Sequence, residues 1–296
     1  MELKEPLSYS DQLKRLKEHH MIIENDHDAE TFLRKVNYYR LSGYAFQFKQ
    51  DGSDDYPEGT SFNHVKQIYS FDEELRNMLY KYLGIVEIYY RCQISNGFVM
   101  RKCVNPPHDQ HYNESNYYKK KEFIDIRDRF ESKQANYYKE TLITKHHKAK
   151  YGNKFPLWVM VEMLSFSDLS KLYSTMYESE QIAIAGSVHT GHKELENHLH
   201  ILSVLRNKCA HASRLYNGEY NPPAHFSKKF LKKHPEVRND TLFAYIIVLT
   251  KRLPGYQDKL CLVREIERLL DKYQSYIDRS LIGFPENAIR ILLDII

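Results

Sequence analysis

The stretch LRNKCAHASRLYN, residues 205–217, holds the side chains of this chain that are best suited to chemistry on a phosphate ester. Arg206, Asn207 and His211 lie within two turns of one predicted helix. A histidine exchanges a proton near neutral pH, and an arginine neutralises charge that develops on phosphate oxygens. With an amide beside them, these groups are sufficient to cleave a phosphodiester without a metal.

The spacing alone is weak evidence for such a site. Arginine precedes histidine at a similar distance at Arg15–His20 and at Arg101–His108, and the chain has 15 histidines. A structural alternative explains the same residues: Arg206 forms a salt bridge to a core carboxylate, and His211 lies near a helix C-terminus, where the helix dipole favours a cation. The residues by themselves leave both interpretations open.

The composition of the 296-residue chain favours long helices. Glycine (11) and proline (10) are both below average usage, which argues against a loop-rich β-sandwich. A chain of this length can form one large domain or two small ones. The net charge of +4 is only mildly basic, so a nucleic-acid partner is permitted but not required.

Compartment and cofactor signals are mostly absent from the sequence. Cys92, Cys103, Cys209 and Cys261 form no short paired spacing, so reduced thiols fit better than a zinc ribbon or a disulfide framework. The first 25 residues hold no apolar segment of a secretory signal, and no apolar run approaches the ~18 residues that span a bilayer. We therefore expect a cytoplasmic protein that does not bind a membrane.

Neither a metal site nor a nucleotide-binding loop is predicted. His192, His198 and His200 lie close together in the sequence, but no cysteine or carboxylate completes a recognisable zinc spacing. The chain contains no GxxxxGK loop and no GxGxxG loop. We expect no cofactor.

Two long helices are predicted to position the central stretch. Apolar residues recur every three or four positions over residues 62–102, with Ser61 as a plausible N-cap. The helix that bears the central stretch begins near residues 190–192, and its apolar face continues into Arg206. An unpaired charge on that face would be costly, so Arg206 must pair with an acid such as Glu87, or face a partner chain or a phosphate.

The rest of the chain also follows helical patterns, and the predicted fold class is all-α. Asp28 is expected to cap the second helix, Gly43 to break or bend the chain, and Pro285 to open the last helix. The polar segment 104–153 is expected to be mainly solvated, and a short strand near residues 44–49 is the one exception. The other predicted helices cover residues 8–20, 119–140, 158–164, 168–177, 241–253 and 257–279.

Four segments, in the same order along the chain, resemble the Abi-like (AbiD/AbiF) abortive-infection proteins of bacteria, which belong to the larger HEPN group of helical nucleases. The resemblance covers roughly residues 5–220. Ser167 departs from the pattern, because glycine is expected at that position. The segments are YYRLSGY (38–44), YSFDEELRNMLYKYLGIVEIYYR (69–91), LWVMVEMLSFSDLSKLY (157–173) and LRNKCAHASRLYN (205–217).

The resemblance implies a HEPN-type helical bundle with additional N- and C-terminal helices, in which the Arg-Asn-x-x-x-His element is the active centre. Arg206 and His211 would be catalytic, and Asn207 would orient them. Glu87 and Arg91, which lie four residues apart on the earlier helix, would support the site. Proteins of this group are generally dimers in which the two elements meet in a composite, metal-independent endoribonuclease site.

The resemblance and the periodicity together predict three parts. Residues 1–55 form an N-terminal helical segment, and residues 60–220 form the HEPN-like catalytic core. Residues 221–296 form a C-terminal helical extension packed on the same domain.

The expected function is a metal-independent endoribonuclease that acts as a toxin in bacterial phage defence. Its expected partners are an RNA substrate, an antitoxin made of RNA or protein, and a second copy of the chain. One alternative is a non-catalytic RNA-binding module of the same fold or an RNA-regulated toxin–antitoxin component, and another is a purely structural helical protein. The candidate RNA-binding residues are Lys119, Lys120, Lys121, Lys145, Lys148, Lys228, Lys229, Lys232 and Lys233.

Overall fold

The computed structural model describes residues 5–49, 52–137, 141–152 and 154–296, and within them it contains fourteen α-helices and no β-sheet. The predicted all-α fold class is therefore confirmed. The helices are α1 (Tyr9–Glu18), α2 (Asp26–Lys35), α3 (Tyr38–Ala45), α4 (Phe62–Lys102), α5 (Lys120–Tyr137), α6 (Leu142–Tyr151), α7 (Leu157–Met163), α8 (Phe166–Thr175), α9 (Glu178–Ser187), α10 (His192–Ala210), α11 (Lys228–Lys233), α12 (Leu242–Arg252), α13 (Tyr256–Lys272) and α14 (Ala288–Leu293).

Helix α4 is the central element of the fold. It contains 41 residues, so it is about 60 Å long. Ser61 caps it as predicted, because the Ser61 hydroxyl accepts a hydrogen bond from the His64 amide at 3.1 Å. Helices α3, α7, α9, α10 and α13 all pack against α4. Gly84 and Gly97 do not interrupt the helix.

Helix α10 presents its apolar face to the core. Leu195, Leu199 and Leu202 are fully buried, and Cys209 extends the same face. The helix packs against α4, α8, α9 and α12, so it is held on several sides. This packing places the C-terminal end of α10 beside α4 and α8.

The helices after residue 221 pack on the same elements. Every side chain of α12 except that of Lys251 is buried, and α12 contacts α4, α10 and α13. Helix α13 lies along α4, where Glu265 accepts a hydrogen bond from the Tyr82 hydroxyl at 2.9 Å. The three-part domain division stays a prediction.

Several local expectations were wrong for identifiable reasons. Asn25, not Asp28, caps α2, because the Asn25 side chain accepts the Asp28 amide at 3.1 Å and so starts the helix earlier. Helix α3 continues through Gly43. The expected strand at residues 44–49 is instead a short 3-10 helix, Phe46–Phe48, which continues directly from α3.

Segment 104–153 is mainly solvated, as predicted, because most of its described residues are exposed, although Phe123, Ile126 and Phe130 of α5 are fully buried beneath its basic surface. One further expectation was wrong. Pro285 does not open the last helix, which begins at Ala288 after Asn287. Sequence patterns also missed α6, α9 and α11 as helices; α6 is strongly polar and α11 has only six residues.

The two glycines of α4 differ in what surrounds them, which gives a matched test of the packing. A Cβ at Gly97 would lie 2.5 Å from Cγ1 of the buried Ile184, whereas a Cβ at Gly84 would meet nothing within 4 Å. We expect Gly97→Ala to lower the free energy of unfolding by about 1–3 kcal/mol through overpacking. Gly84→Ala should raise it by about 0.5–1 kcal/mol through helix propensity. Urea unfolding measures both, and equal effects would contradict the α4–α9 contact.

Candidate active site

The sequence-predicted residues lie at the C-terminal end of α10. Arg206 and Asn207 are half-buried, and His211 is the exposed C-cap residue, whose amide donates to the Asn207 carbonyl at 3.0 Å. The His211 ring makes no hydrogen bond within the described part of the chain. The imidazole is therefore accessible, and its backbone is held by the last turn of the helix.

Arg206 forms an ion pair with Glu87, as one of the sequence-based alternatives predicted. The Arg206 Nε atom lies 3.4 Å from Glu87 Oε2, and the guanidinium lies 5.7 Å from the centre of the Tyr80 ring. The Arg206 side chain remains 28 % exposed. Because the catalytic and the structural interpretation both include a carboxylate partner, this ion pair does not decide between them.

Glu87 bridges two guanidinium groups. Its Oε1 atom accepts a hydrogen bond from Arg91 at 2.6 Å, which is the four-residue pairing predicted from the sequence. Arg91 also donates to the Leu164 carbonyl at 3.0 Å and to Glu162 at 3.1 Å. The Glu87–Arg91 pair therefore joins α4, the end of α7 and the Arg206 side chain of α10.

The Asn207 side chain is held by Ser167, the residue that departs from the family pattern. The Asn207 side-chain amide donates a hydrogen bond to the Ser167 hydroxyl at 3.0 Å. Ser165, not Ser167, caps α8, because its hydroxyl accepts the Asp168 amide at 3.1 Å. Ser167 therefore contacts the candidate site directly. A glycine at position 167 would lack this hydroxyl.

Asp72 anchors the chain that follows His211, and sequence reasoning missed it. The Asp72 carboxylate is fully buried and accepts hydrogen bonds from the Tyr216 amide at 2.8 Å and the Leu215 amide at 3.1 Å. The Tyr44 hydroxyl at 2.5 Å and the Arg76 guanidinium donate to it as well. The sequence signal that could have identified Asp72 is its four-residue spacing from Arg76 within segment 69–91.

The Asp72 cluster is electrostatically unusual. Burial raises the pKa of the Asp72 carboxyl, and the Arg76 charge acts in the opposite direction. Burial also raises the pKa of the Tyr44 phenol, and the Asp72 carboxylate raises it further because ionisation would place a second negative charge beside it. Tyr44 is therefore neutral and serves as a donor.

Two more arginines fasten the turn after α10 to α3. Arg40 donates a hydrogen bond to the Ala212 carbonyl, and Arg214 donates one to the Gly43 carbonyl. Ala212 has a positive φ of 50°, which reverses the chain immediately after His211. Two contacts with α3, both made just after the histidine, thus hold the turn.

Cys209 lies inside the central stretch but takes no part in its chemistry. It is 8 % exposed, and burial raises the pKa of its thiol to about 12. A thiol with that pKa is not a thiolate near neutral pH, so Cys209 packs as a small apolar residue.

The candidate metal-binding histidines do not assemble into a site. His198 is buried and donates a hydrogen bond from Nε2 to the His225 carbonyl at 2.8 Å, and burial lowers its pKa to about 3. His192 pairs with Glu178 at 3.0 Å, and His200 is exposed. Within the residues that the structure describes, no group of three or more histidine, cysteine or acidic side chains is arranged to hold a metal.

The candidate RNA-binding lysines lie on three separate elements. Lys119 precedes α5 and pairs with Glu196 at 3.5 Å, and Lys233 of α11 pairs with Asp294 at 2.9 Å. Eight of the nine are exposed and Lys119 is half-buried, and their role stays a prediction. The exposed eight are Lys120, Lys121, Lys145, Lys148, Lys228, Lys229, Lys232 and Lys233.

Comparison with known families gives one match. The family model described as Abi-like protein matches residues 31–217, which is more than half of the chain. The chain belongs to the Abi-like family. The match contains all four segments that suggested the resemblance, and it ends at Asn217, before α11 to α14.

Other comparisons and the hydropathy of the helices add little to the assignment. Searches of curated proteins and of solved structures found no significant match. Among the described helices, none combines the length and the apolar character that crossing a membrane requires. The Abi-like assignment therefore rests on the family match.

Removal of the Asp72 charge should release the turn after α10. We expect Asp72→Asn to lower the free energy of unfolding by about 3–5 kcal/mol, because Arg76 would be left buried and unpaired. Amide hydrogen exchange at Leu215 and Tyr216 should accelerate in the same variant. The double variant Asp72→Asn/Arg76→Met should recover part of the loss.

An exposed pair with the same spacing supplies the control. Arg34 and Glu30 lie 2.7 Å apart, with side chains 58 % and 33 % exposed. We expect Glu30→Gln to change the free energy of unfolding by less than about 1 kcal/mol. If Asp72→Asn had an equally small effect, the anchoring role would be wrong.

Proposed function

We propose that this Abi-like protein is a metal-independent endoribonuclease of the HEPN type, of the AbiD/AbiF kind, that acts in bacterial abortive infection. The single observation that carries the proposal is the exposed imidazole of His211, held five positions after a half-exposed Arg206 on one rigid helix end. Membership of the Abi-like family supports a role in phage defence. A growth-arresting nuclease needs a partner that silences it, and we propose a bound antitoxin of RNA or protein.

His211 supplies the proton transfer. The 2′-hydroxyl of RNA is the nucleophile, and it attacks the adjacent phosphorus when an imidazole accepts its proton. The 5′ oxygen leaves when it receives a proton. The products are a 2′,3′-cyclic phosphate and a 5′-hydroxyl, and DNA is not cleaved because it lacks the nucleophile.

Arg206 supplies the positive charge. The ion pair with Glu87 is made through Nε, and the two terminal nitrogens of the guanidinium donate no hydrogen bond to another described residue. These nitrogens can bind the phosphate oxygens as charge builds up on them. Glu87 and Arg91 fix the direction of the guanidinium, and the Ser167 hydrogen bond fixes Asn207.

The acid and the base cannot both be one imidazole at the same moment, which is the reason for a dimer. A second copy, related by a two-fold axis, brings a second His211 to the same phosphate. Exposed apolar side chains lie beside Glu87 on α4: Tyr80 is 45 % exposed and Ile88 is 66 % exposed. A homodimer interface over this surface would bury them together with the two helix ends.

Cleavage of RNA in the presence of EDTA tests the nuclease. We expect the wild type to cut a mixed-sequence RNA and leave the DNA of the same sequence intact. His211→Ala should reduce the rate about 10²–10⁴-fold, because general acid–base catalysis is lost. Arg206→Ala should reduce it about 10²–10³-fold. Mass spectrometry of the products should show 2′,3′-cyclic phosphate ends.

His200→Ala is the matched control for that experiment. His200 is also exposed and lies on α10, but it is about three turns before His211. Its substitution should leave the cleavage rate unchanged. Cleavage that EDTA abolishes, or that persists in His211→Ala, would exclude the mechanism. Salt-sensitive RNA binding without any cleavage would instead favour the non-catalytic RNA-binding module.

If each active site needs His211 from both copies, a charged residue in the dimer interface should prevent both dimer formation and RNA cleavage. We expect Ile88→Glu to convert the dimer to a monomer and to abolish RNA cleavage, as measured by light scattering and by the nuclease assay. Met100→Glu is the control, since Met100 is 65 % exposed on the same helix but farther from Glu87. A wild-type monomer that cleaves RNA would contradict the shared site.

A further inference from the structure

A cleft of about 920 Å³ lies at the N-terminal end of α10, the opposite end of that helix from His211. The two ends are 20 residues apart, which corresponds to about 30 Å along the helix axis. The cleft is bounded by Tyr89 and Tyr90 of α4, by the turn 186–191, by the end of α12 and by Lys259 of α13. It is therefore separate from the candidate nuclease site.

The charges that line this cleft are unbalanced. The lining contains three cationic side chains, those of Lys251, Arg252 and Lys259, and one carboxylate, that of Glu194. Arg252 is only 8 % exposed, and its Nε atom is buried without a hydrogen-bond partner. Among the described residues, no carboxylate lies within 4.0 Å of any of these three cations.

The neutral neighbours of Arg252 cannot compensate its charge. The Tyr90 hydroxyl lies near Arg252, and burial raises the pKa of Tyr90, so it stays neutral. His198 also lies near Arg252, and burial lowers its pKa to about 3, so it carries no charge either. A buried guanidinium without an anion costs free energy.

The two lysines are affected by the same imbalance. Burial lowers the pKa of Lys259, and repulsion from Arg252 lowers it further. Burial likewise lowers the pKa of Lys251, although Glu194 partly offsets this effect. A lysine whose pKa is lower in the folded state than in the unfolded state destabilises the fold while it is protonated. An added anion would reverse that effect.

Helix α10 adds hydrogen-bond donors to the same cleft. Its N-cap is Gly191, which provides no side-chain acceptor for the amides of the first turn. Gly191 and Glu194 both line the cleft. Uncapped amides and the positive end of a 19-residue helix attract an anion. The amides, Arg252 and Lys259 together can surround a multiply charged group.

We propose that this cleft binds a phosphate-bearing ligand, either a free nucleotide or a phosphate of a nucleic-acid backbone. The volume is within the range of small-molecule sites, and the half-buried Tyr89 ring offers a surface for a base. Arg252 and Lys259 belong to helices beyond the family match. The C-terminal helices thus contribute the charge that recognises the ligand. This site does not depend on the proposed nuclease activity.

Calorimetric titration of the full chain tests the site with three probes: inorganic pyrophosphate, ATP and a decauridylate. The decauridylate arm uses the His211→Ala background so that the probe stays intact. We expect at least one probe to bind and Lys259→Met to weaken that binding about tenfold or more, the loss of one charge-assisted hydrogen bond. Binding of ATP and pyrophosphate alone identifies a free nucleotide, and binding of decauridylate alone identifies a nucleic-acid backbone.

A stability measurement separates a lost site from a damaged fold. Lys259→Met should raise the midpoint of thermal unfolding, because it removes a desolvated charge repelled by Arg252, while it weakens binding. Arg252→Gln is a second variant with the same expected loss of binding. Arg264→Met is the control, since Arg264 is exposed on α13 outside the cleft. No binding by any probe, or undiminished binding in Lys259→Met and Arg252→Gln, would overturn the proposal.

Discussion

The structure around the candidate site depends on one buried carboxylate. Asp72 has no exposed surface and accepts hydrogen bonds from four donors, which come from α3, from α4 and from the two amides of Leu215 and Tyr216. A buried charge is tolerated only when its lone pairs are satisfied, so each donor constrains the others. The segment that follows α10 does not belong to a helix or a sheet, so its backbone amides need other acceptors. The Asp72 carboxylate accepts hydrogen bonds from two of them, the amides of Leu215 and Tyr216.

The hydrogen bonds of Asp72 explain how the C-terminal end of α10 can be both rigid and accessible. Packing holds α10 up to Cys209, and Asp72 holds the chain again from Leu215. His211 lies between these two fixed points, exposed but with little backbone freedom. The Glu87–Arg91 pair does the same for Arg206, because it directs the guanidinium without covering it. Preorganised charge of this kind is what electrostatic stabilisation of a developing phosphate charge requires.

Much of this arrangement was predictable from local patterns. The three-to-four periodicity of α4, the Ser61 cap and the four-residue spacing of Glu87 and Arg91 are short-range features that a helix realises wherever it packs. Asn25 as the cap of α2 was missed because Asp28 offers the same chemistry three residues later. The buried face of α5 was missed because its lysines dominate the composition of that segment.

The sequence by itself determined the helical class, the membership of the Abi-like family and the identity of Arg206, Asn207 and His211 as the residues to consider. These follow from periodicity and from motif order, both of which are written along the chain. Only the tertiary structure decided that Asp72 and Ser167 hold the site, and that Arg252 and Lys259 meet at the far end of α10. Ser167 is 40 residues from Asn207 along the chain, and Asp72 is 144 residues from Tyr216. Contacts across such separations arise when burial brings helices together, and no local pattern encodes them.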